Sequence, residues 1–339
     1  MSDRPDEPWP IDKLRDGAGS IEIKTPGDES AILEMISTGE RLLIVKEKGV
    51  YEVKLADQID PERTNVATPN TMQRILPYGA GDAWIGATLL TAHRLLKGSS
   101  AQVKVDGDDA FALVLRIVED ISGARQLHDS YAKAEADAAA HLDTKIRPDR
   151  SILVPAIGGA ESRCNEFLQR GDHALRELFR LVQMFYSDVG SGGWESLKAK
   201  IDLGPKDIDN FPQFLANVLP FLQLIRNARN CVEHPRPEQR LSVTDFALGP
   251  KNALLPPMIE VIHPRTPLQN VPLRAFFSEA LQNLISIVEL MIVFLCARHV
   301  KSFGGMQIQV MEIPSERRST PHVRYGYGAL LGGQLVPFS

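Results

Sequence analysis

The chain has 339 residues, of which 43% are apolar, and a formal net charge of -5 at pH 7. That is enough apolar material for one large domain or two smaller ones, and the mild acidity excludes a surface that binds nucleic acid indiscriminately. Three widely separated cysteines exclude a disulfide framework and a Cys-x-x-Cys zinc site. We expect a cytoplasmic protein with reduced thiols and with neither a metal nor a cofactor.

The first strand and helix signals lie in the first hundred residues. Two β-prone runs, 41–46 and 50–55, flank a three-residue turn and predict a hairpin. Asp82 is placed to cap a helix that continues to residue 97. The preceding Gly79-Ala80-Gly81 lacks the Gly-Lys-Ser/Thr ending of a phosphate-binding loop, so a turn capped by Asp82 is favoured there.

A second helix is predicted to follow Asp108 and Asp109, whose carboxylates suit a helix N-terminus, and to run to about residue 142. Residues 145–150 are typical of a linker. These elements predict an N-terminal α+β domain over residues 1–150, and we expect it to sense a signal or regulate the rest of the chain.

The remainder of the chain is dominated by helical patterns. Helices with apolar residues at helical spacing are predicted over 159–189, 194–209, 212–234 and 273–300. A β-hairpin, 240–248 with 258–262, is inserted before the last of them. We therefore predict an α+β fold in which a helical domain at 151–303 is followed by a β-prone tail at 304–339, with two strand-like runs at 306–313 and 323–327.

No membrane segment is expected from the sequence. The N-terminal residues are polar and lack the apolar core of a secretory signal. The most apolar helix, 273–300, is interrupted by charged and amide side chains, which we take as too polar for a membrane span.

Three side chains with complementary chemistry end the third helix of the second domain. Arg229 and Asn230 are adjacent, and His234 follows the Asn by four residues, so the Asn and the His share one helix face. Pro235 disfavours helical geometry at His234, which predicts that the imidazole lies at the last turn. A guanidinium holds a phosphate through two parallel hydrogen bonds, and an imidazole transfers protons near neutral pH. Metal-independent RNA cleavage requires both a group that holds the phosphate and a group that transfers protons.

Basic residues surround this segment. Residues 223–240 contain four arginines and two glutamates, which gives a net charge of +2 in an acidic chain. Besides Arg229, the candidates for substrate contacts are Arg226, Arg236 and Arg240. On charge alone, a solvated helix end explains the pattern equally well.

The same Arg-to-His spacing occurs a second time, at Arg317 and His322. That copy contains a proline, has a second Arg where Asn or Asp is wanted, and lacks helical periodicity. The first copy follows an amphipathic helix and precedes a closing helix, which favours it as the functional one.

With these residues, the stretch 155–303 resembles the HEPN superfamily (higher eukaryotes and prokaryotes nucleotide-binding). Its members are small helical bundles whose signature is an Arg, a polar residue, and a His separated from the Arg by four to six residues. By this resemblance Arg229 is the motif arginine, Asn230 the polar residue and His234 the motif histidine. A proline directly after the His and the inserted hairpin depart from a minimal bundle of this kind.

The resemblance implies a metal-independent endoribonuclease of a bacterial toxin–antitoxin or antiviral defence system. In that role His234 is the general acid or base, Arg229 stabilises phosphoryl charge, and Asn230 orients the imidazole or the phosphate. Such sites are composite across a homodimer, so a second copy would supply the second proton-transfer group. The implied partners are RNA, a second copy of the chain, and an antitoxin or another defence-system component.

Three other interpretations stay open. HEPN-like bundles also serve as non-catalytic nucleotide- or RNA-binding or dimerisation modules, in which Arg229 and His234 would tie a helix end to neighbouring carboxylates or carbonyls. Cys231, three residues before His234, permits a thiolate–imidazole pair, although a cysteine at such a position is more often a packing residue. An unrelated helical protein is the third alternative.

Overall fold

The computed structural model describes residues 9–17, 25, 27–98, 103–141, 147–204, 209–302, 306–331 and 334–338. Helices make up 52% and strands 18% of the structure, and the sheets are small and antiparallel. The α+β class expected from the sequence is therefore confirmed.

The elements follow the predicted order, with additional strands. The helices are α1 Pro10–Asp16, α2 Ala56–Ile59, α3 Ala83–Ile85, α4 Gly107–Ala140, α5 Ala160–Phe185, α6 Gly193–Leu203, α7 Phe211–Glu233 and α8 Leu273–His299. The strands are β1 Glu34–Thr38, β2 Arg41–Val45, β3 Val50–Lys54, β4 Thr71–Leu76, β5 Arg240–Thr244, β6 Ala247–Leu248, β7 Leu254–Leu255, β8 Met258–Ile262, β9 Leu268–Pro272, β10 Ile308–Glu312, β11 Tyr325–Leu331 and β12 Gln334–Pro337. Two π-helical segments, Gly86–Leu90 and His93–Lys97, continue α3.

The N-terminal strands form an antiparallel sheet in the order β1-β2-β3-β4. The predicted hairpin is confirmed, because β2 and β3 pair from Leu42 with Val53 to Val45 with Val50. Apolar residues of β1 to β3 are buried in the core, and β1 packs against α4.

The aspartates at the starts of α3 and α4 have different roles. The α4 cap is Asp106, whose side chain accepts hydrogen bonds from the backbone N–H groups of Asp108 at 2.8 Å and Asp109 at 3.1 Å. Asp82 precedes α3 but makes no capping hydrogen bond with its side chain. Instead its Oδ2 accepts from the backbone N–H of Gly79 at 3.1 Å and closes the turn.

One hydrophobic core joins the sheet, the helices and the C-terminal strands. The ring of Phe277 in α8 stacks on Phe167 of α5, with centroids 4.3 Å apart, and meets Tyr131 of α4 edge-on at 5.3 Å. The boundary predicted near residue 150 falls between α4 and α5, which pack along each other. Part of the predicted linker, residues 145 and 146, lies outside the described residues. The division into domains stays a prediction. Helix α4, which was assigned to the N-terminal domain, nevertheless packs against α5 and α8.

The segment inserted between α7 and α8 is larger than the predicted hairpin. It forms a three-stranded sheet in the order β5-β8-β9 and a two-stranded ribbon of β6 with β7. The prediction omitted β9 because this strand carries Gln269 and Asn270 and ends in a proline, a weak strand signal. β5 contacts both α5 and α7. Asp245 accepts a hydrogen bond from the backbone N–H of Ile157 at 3.0 Å, which ties the start of α5 to this sheet.

The C-terminal strands form a third sheet, β10-β11-β12, that lies against α8 and the π-helical segments. The Tyr327 hydroxyl donates to the Leu95 carbonyl at 2.7 Å. At Gly86 an added Cβ would lie 2.3 Å from the Cβ of His322, so the close approach of the tail requires glycine there.

Helix α8 is long and apolar enough to cross a membrane by length and composition alone, with a mean hydropathy of 2.0 over 18 residues. This corrects the expectation that its polar residues exclude a span. Of that window, 56% is buried inside the protein, and the core helix of a folded protein passes the same test. Here α8 packs against α4, α5 and α7.

A bidentate ion pair connects the segment that precedes α7 to the end of α8. Asp209 accepts from Arg298 Nε at 2.8 Å and Nη2 at 2.7 Å, and from the backbone N–H of Phe211 at 3.0 Å. Burial acts to raise the pKa of Asp209, but the hydrogen bonds from Arg298 and Phe211 prevail and hold it below its usual value.

Asp209→Asn is expected to lower the free energy of unfolding at pH 7 by about 3 kcal/mol, because it leaves the largely buried guanidinium of Arg298 without its carboxylate. The pKa of Asp209 is lower in the folded than in the unfolded chain. Its stabilisation is therefore present above about pH 4 and is lost as the pH falls through the folded pKa. Urea denaturation at pH 7 and at pH 3 measures both effects.

The matched control is Asp202→Asn, since Asp202 pairs with Lys198 at the surface and is 42% exposed. It should change the free energy of unfolding by less than about 0.5 kcal/mol. A loss for Asp209→Asn that is equally large at both pH values would contradict the expected ionic contribution.

Candidate functional site

The Arg-Asn…His segment lies at the C-terminus of α7, as the sequence predicted. Helix α7 ends at Glu233, and His234 follows at φ -133° and ψ 61° with its backbone N–H donating to the Asn230 carbonyl at 2.9 Å. Pro235 explains why the helix stops there. The His234 side chain is exposed and makes no hydrogen bond or ion pair with the residues that the structure describes.

Arg229 is turned toward α5 and has carboxylate partners. Its guanidinium pairs with Glu233, one turn along α7, and its Nε lies 3.7 Å from Oδ2 of Asp172 in α5. Nη1 also donates to Oδ1 of Asn230 at 3.4 Å. The Asn230 oxygen therefore contacts the motif arginine and not the imidazole, which was one of the two groups, imidazole or phosphate, that it was predicted to orient. Arg229 is 22% exposed, so part of the guanidinium still faces solvent.

The three arginines predicted to bind substrate are all exposed. Arg240 donates from Nη1 to the Pro237 carbonyl at 3.0 Å, and the backbone of Arg236 pairs with that of Gln239, so these two arginines share one turn after α7. Arg226 lies further up α7, near Gly193 at the start of α6. The structure thus separates Arg226 from the other two along the helix.

Arg229 also lines a cavity of about 310 Å³ between α4, α5 and α7. The lining side chains are Asp120, Gln169, Arg170, Asp172, His173, Arg176 and Arg229. Three arginines against two aspartates leave these side chains with a net charge of +1 when the imidazole is neutral. At Gly123 of α4 an added Cβ would lie 2.4 Å from Nη1 of Arg170, so glycine lets this guanidinium lie against α4. Two of these arginines have further carboxylate partners, because Arg170 pairs with Glu166 and Arg229 with Glu233, so an anion such as a phosphate ester would have to replace one of them.

His173 lines this cavity and is hydrogen-bonded to an aspartate. Nδ1 of His173 donates to Oδ2 of Asp120 at 2.5 Å, and the imidazole is 55% exposed. Burial raises the pKa of Asp120 above its usual value, although the hydrogen bond from His173 acts in the opposite direction. This arrangement is typical of an imidazole that takes part in proton transfer.

Below His173 lies a buried carboxylate, Glu177, whose residue is 1% exposed. Its Oε1 accepts from Arg180 Nη1 at 2.5 Å and lies 3.8 Å from Nε2 of His173. Its Oε2 has no hydrogen-bond partner within the described ranges, and the Nη1 of Arg116 is 3.6 Å away. Because a buried carboxylate needs cationic neighbours, this group favours positive charge around His173.

The thiolate alternative finds no support at Cys231. The residue is 3% exposed, and its Sγ lies 3.9 Å from the Ile262 carbonyl of β8. Burial raises the pKa of the thiol, which opposes thiolate formation. Cys231 therefore acts as a packing residue.

Within the ranges that the structure describes, no cluster of three or more His, Cys, Asp or Glu side chains is arranged to hold a metal ion.

Sequence reasoning did not identify Asp120, Asp172 or His173 as site residues. The local signal was present in part, because Asp172 with Arg176 and His173 with Glu177 are i,i+4 pairs on one helix. Such pairs usually indicate a solvated helix face. Only the packing of α5 between α4 and α7 brings them beside Arg229.

Comparison with protein-family models, with curated proteins and with solved structures finds no match to this chain. The resemblance to the HEPN superfamily therefore stays a prediction made from the motif and the helices around it.

At pH 7, Cys231 is expected to react with iodoacetamide at least about tenfold more slowly than free cysteine, because its thiol is buried and its pKa is raised. Mass spectrometry of peptides from the native protein measures the rate. Ser242→Cys, at an exposed position of β5, is the control and should react like free cysteine. A Cys231 that reacts faster than free cysteine would restore the thiolate–imidazole interpretation.

Proposed function

We propose that the protein is a metal-independent endoribonuclease whose site lies where the end of α7 meets α5. The observation that carries the proposal is the position of Arg229, which lines a cavity with Arg170 and Arg176, while His234 is exposed five residues further along the same segment. A guanidinium and an imidazole so placed are suited to hold a phosphodiester and to move a proton on one of its oxygens.

The reaction that fits these groups needs only the RNA itself. The ribose 2′-oxygen attacks phosphorus, the bond from phosphorus to the 5′-oxygen breaks, and the products end in a 2′,3′-cyclic phosphate and a 5′-hydroxyl. A base removes the 2′-hydroxyl proton and an acid protonates the departing 5′-oxygen. In the proposal His234 performs one of these transfers, and Arg229 stabilises the charge that develops on the phosphoryl oxygens.

Before Arg229 can bind a phosphate, its guanidinium must release one of its two carboxylate partners. Asp172 is 6% exposed and has Arg176 as a second partner, with Nη2 and Oδ2 2.5 Å apart. Glu233 lies at the surface end of α7 with 28% of its side chain exposed, so it is the partner that a phosphate would displace. Asp172 would then hold the guanidinium in place while the bound phosphate replaces Glu233.

A role in a bacterial toxin–antitoxin or antiviral defence system, with an antitoxin or similar partner and a homodimeric assembly, belongs to the same proposal. Its support is the resemblance of the motif. The N-terminal region would then regulate the ribonuclease.

A second candidate function is a non-catalytic module that binds RNA or nucleotides or mediates dimerisation. The pairing of Arg229 with Glu233 and Asp172 favours the absence of catalysis in such a module, because an arginine with a structural role would be neutralised in this way. The two functions differ in whether RNA is cleaved.

Arg229→Ala and His234→Ala are each expected to slow RNA cleavage in EDTA by about 100-fold or more, since each removes a group that acts on the transition state. The assay is denaturing electrophoresis of end-labelled RNA, with the 2′,3′-cyclic phosphate identified by mass spectrometry. Arg317→Ala and His322→Ala remove the second copy of the spacing and should leave the rate unchanged. Cleavage that strictly requires Mg²⁺, or equal rates for all five proteins, would sink the proposed mechanism.

Arg226→Ala, Arg236→Ala and Arg240→Ala should each weaken RNA binding and reduce the slope of log affinity against log salt by about 0.7, as expected when one phosphate contact to a single strand is lost. Fluorescence anisotropy with a 2′-O-methyl oligoribonucleotide, which lacks the attacking hydroxyl, measures this without cleavage. Arg317→Ala is the control. A slope unchanged by all three substitutions would remove these residues from the RNA-binding surface.

A further inference from the structure

We propose that His173 supplies the second proton-transfer group of this site, so that one chain carries both imidazoles that the reaction needs. The inference rests on the proposed function and changes one part of it. A second copy of the chain is then not required to contribute a catalytic side chain.

The geometry leaves one nitrogen of His173 available to a ligand. Because Nδ1 donates to Asp120 at 2.5 Å, the neutral imidazole has its lone pair on Nε2. Nε2 lies 3.8 Å from Oε1 of Glu177, which is beyond hydrogen-bond distance. Asp120 is itself held in place, with a side chain 16% exposed, whereas the imidazole is 55% exposed and faces the cavity. An aspartate that fixes the tautomer of an exposed imidazole is the arrangement found in acid–base catalysis.

Charged groups surround His173 on each helix packed against it, some in direct contact and others through Glu177. They are Asp120 and Arg116 from α4, Arg170, Asp172, Arg176, Glu177 and Arg180 from α5, and Arg229 from α7. The two carboxylates nearest the imidazole lie at different nitrogens, Asp120 at Nδ1 and Glu177 on the side of Nε2.

In this proposal Arg229 is the group that brings one ligand to both imidazoles, since His173 lines the cavity and His234 is not among its lining residues. Arg229 lines the same cavity as His173, and it precedes His234 by five residues on α7. A phosphodiester held by this guanidinium would have His173 on the α5 side and His234 at the end of α7. One imidazole would take the proton of the 2′-hydroxyl and the other would give a proton to the 5′-oxygen, so that a full turnover exchanges their protonation states.

The test compares pH–rate profiles of the full-length protein with those of His173→Ala. Wild type should give a bell-shaped profile, because one imidazole must be neutral and the other protonated. The profile of His173→Ala should lack one limb of the bell, and its kcat should be lower by at least about 100-fold. His173→Gln, which keeps a polar side chain on α5, is the second variant and should behave in the same way, with urea denaturation showing that both proteins fold.

Asp120→Asn tests the positioning role of the carboxylate. It should lower kcat by at least about tenfold and leave KM unchanged, since it removes the carboxylate that fixes the tautomer and orientation of the His173 imidazole. The matched control is His128→Ala, because His128 also contacts an aspartate, with Nδ1 and Oδ1 of Asp129 2.9 Å apart, at another place on α4. This control should keep the wild-type rate and profile.

Mixing His173→Ala with His234→Ala tests whether both imidazoles act within one chain. No recovery of activity is expected, because no chain in the mixture carries both. Recovery would show that the two imidazoles come from different chains and would overturn the inference.

The outcomes separate the inference from the proposed function. If wild type does not cleave RNA, the proposed function fails and the role of His173 fails with it. If wild type cleaves RNA and His173→Ala keeps the rate and the bell-shaped profile, only the inference is overturned.

Discussion

The packing of α5 against α4, α7 and α8 is the constraint on which the rest of the structure depends. Its apolar side chains, among them Phe167, Leu175 and Leu178, lie in the core, and several of its charged residues line the groove between α4 and α7. Asp172 and Glu177 are buried there, at 6% and 1% exposure. Because an unpaired buried carboxylate is strongly unfavourable, the groove must also contain cations.

The arginines of the groove therefore have two roles. Arg229 and Arg176 neutralise Asp172, and Arg180 with Arg116 surrounds the buried Glu177. A guanidinium has five N–H donors, so an arginine that pairs with a carboxylate on one side keeps donors for a ligand on the other. Arg176 and Arg180 are more than half exposed, so they have N–H donors available for a ligand. Arg229 is less exposed and would have to replace a carboxylate partner with the ligand. The side chains that neutralise the buried carboxylates are thus the same ones that the proposal assigns to anion binding.

The site extends beyond the segment that resembles the HEPN superfamily. Residues 155–303 contain α5 to α8 and the inserted sheet, but Asp120 and Arg116 belong to α4. The same helix contributes Tyr131 to the aromatic cluster around Phe277, so it is part of the core of the bundle. The N-terminal half of the chain therefore supplies both packing and polar groups to the candidate site, in addition to the regulatory role proposed for it.

The sequence by itself determined the long helices and the position of the motif, because helical periodicity and a proline after a histidine are local signals. It therefore located Arg229 and His234 at the end of α7. The tertiary structure decided what those residues face, since Asp120, Asp172 and Arg229 are separated by 52 and 57 residues along the chain. Periodicity tells which face of a helix is apolar, but not which helix packs beside it. The grouping of His173 with Arg229 follows only from the way α4, α5 and α7 bury their apolar faces together.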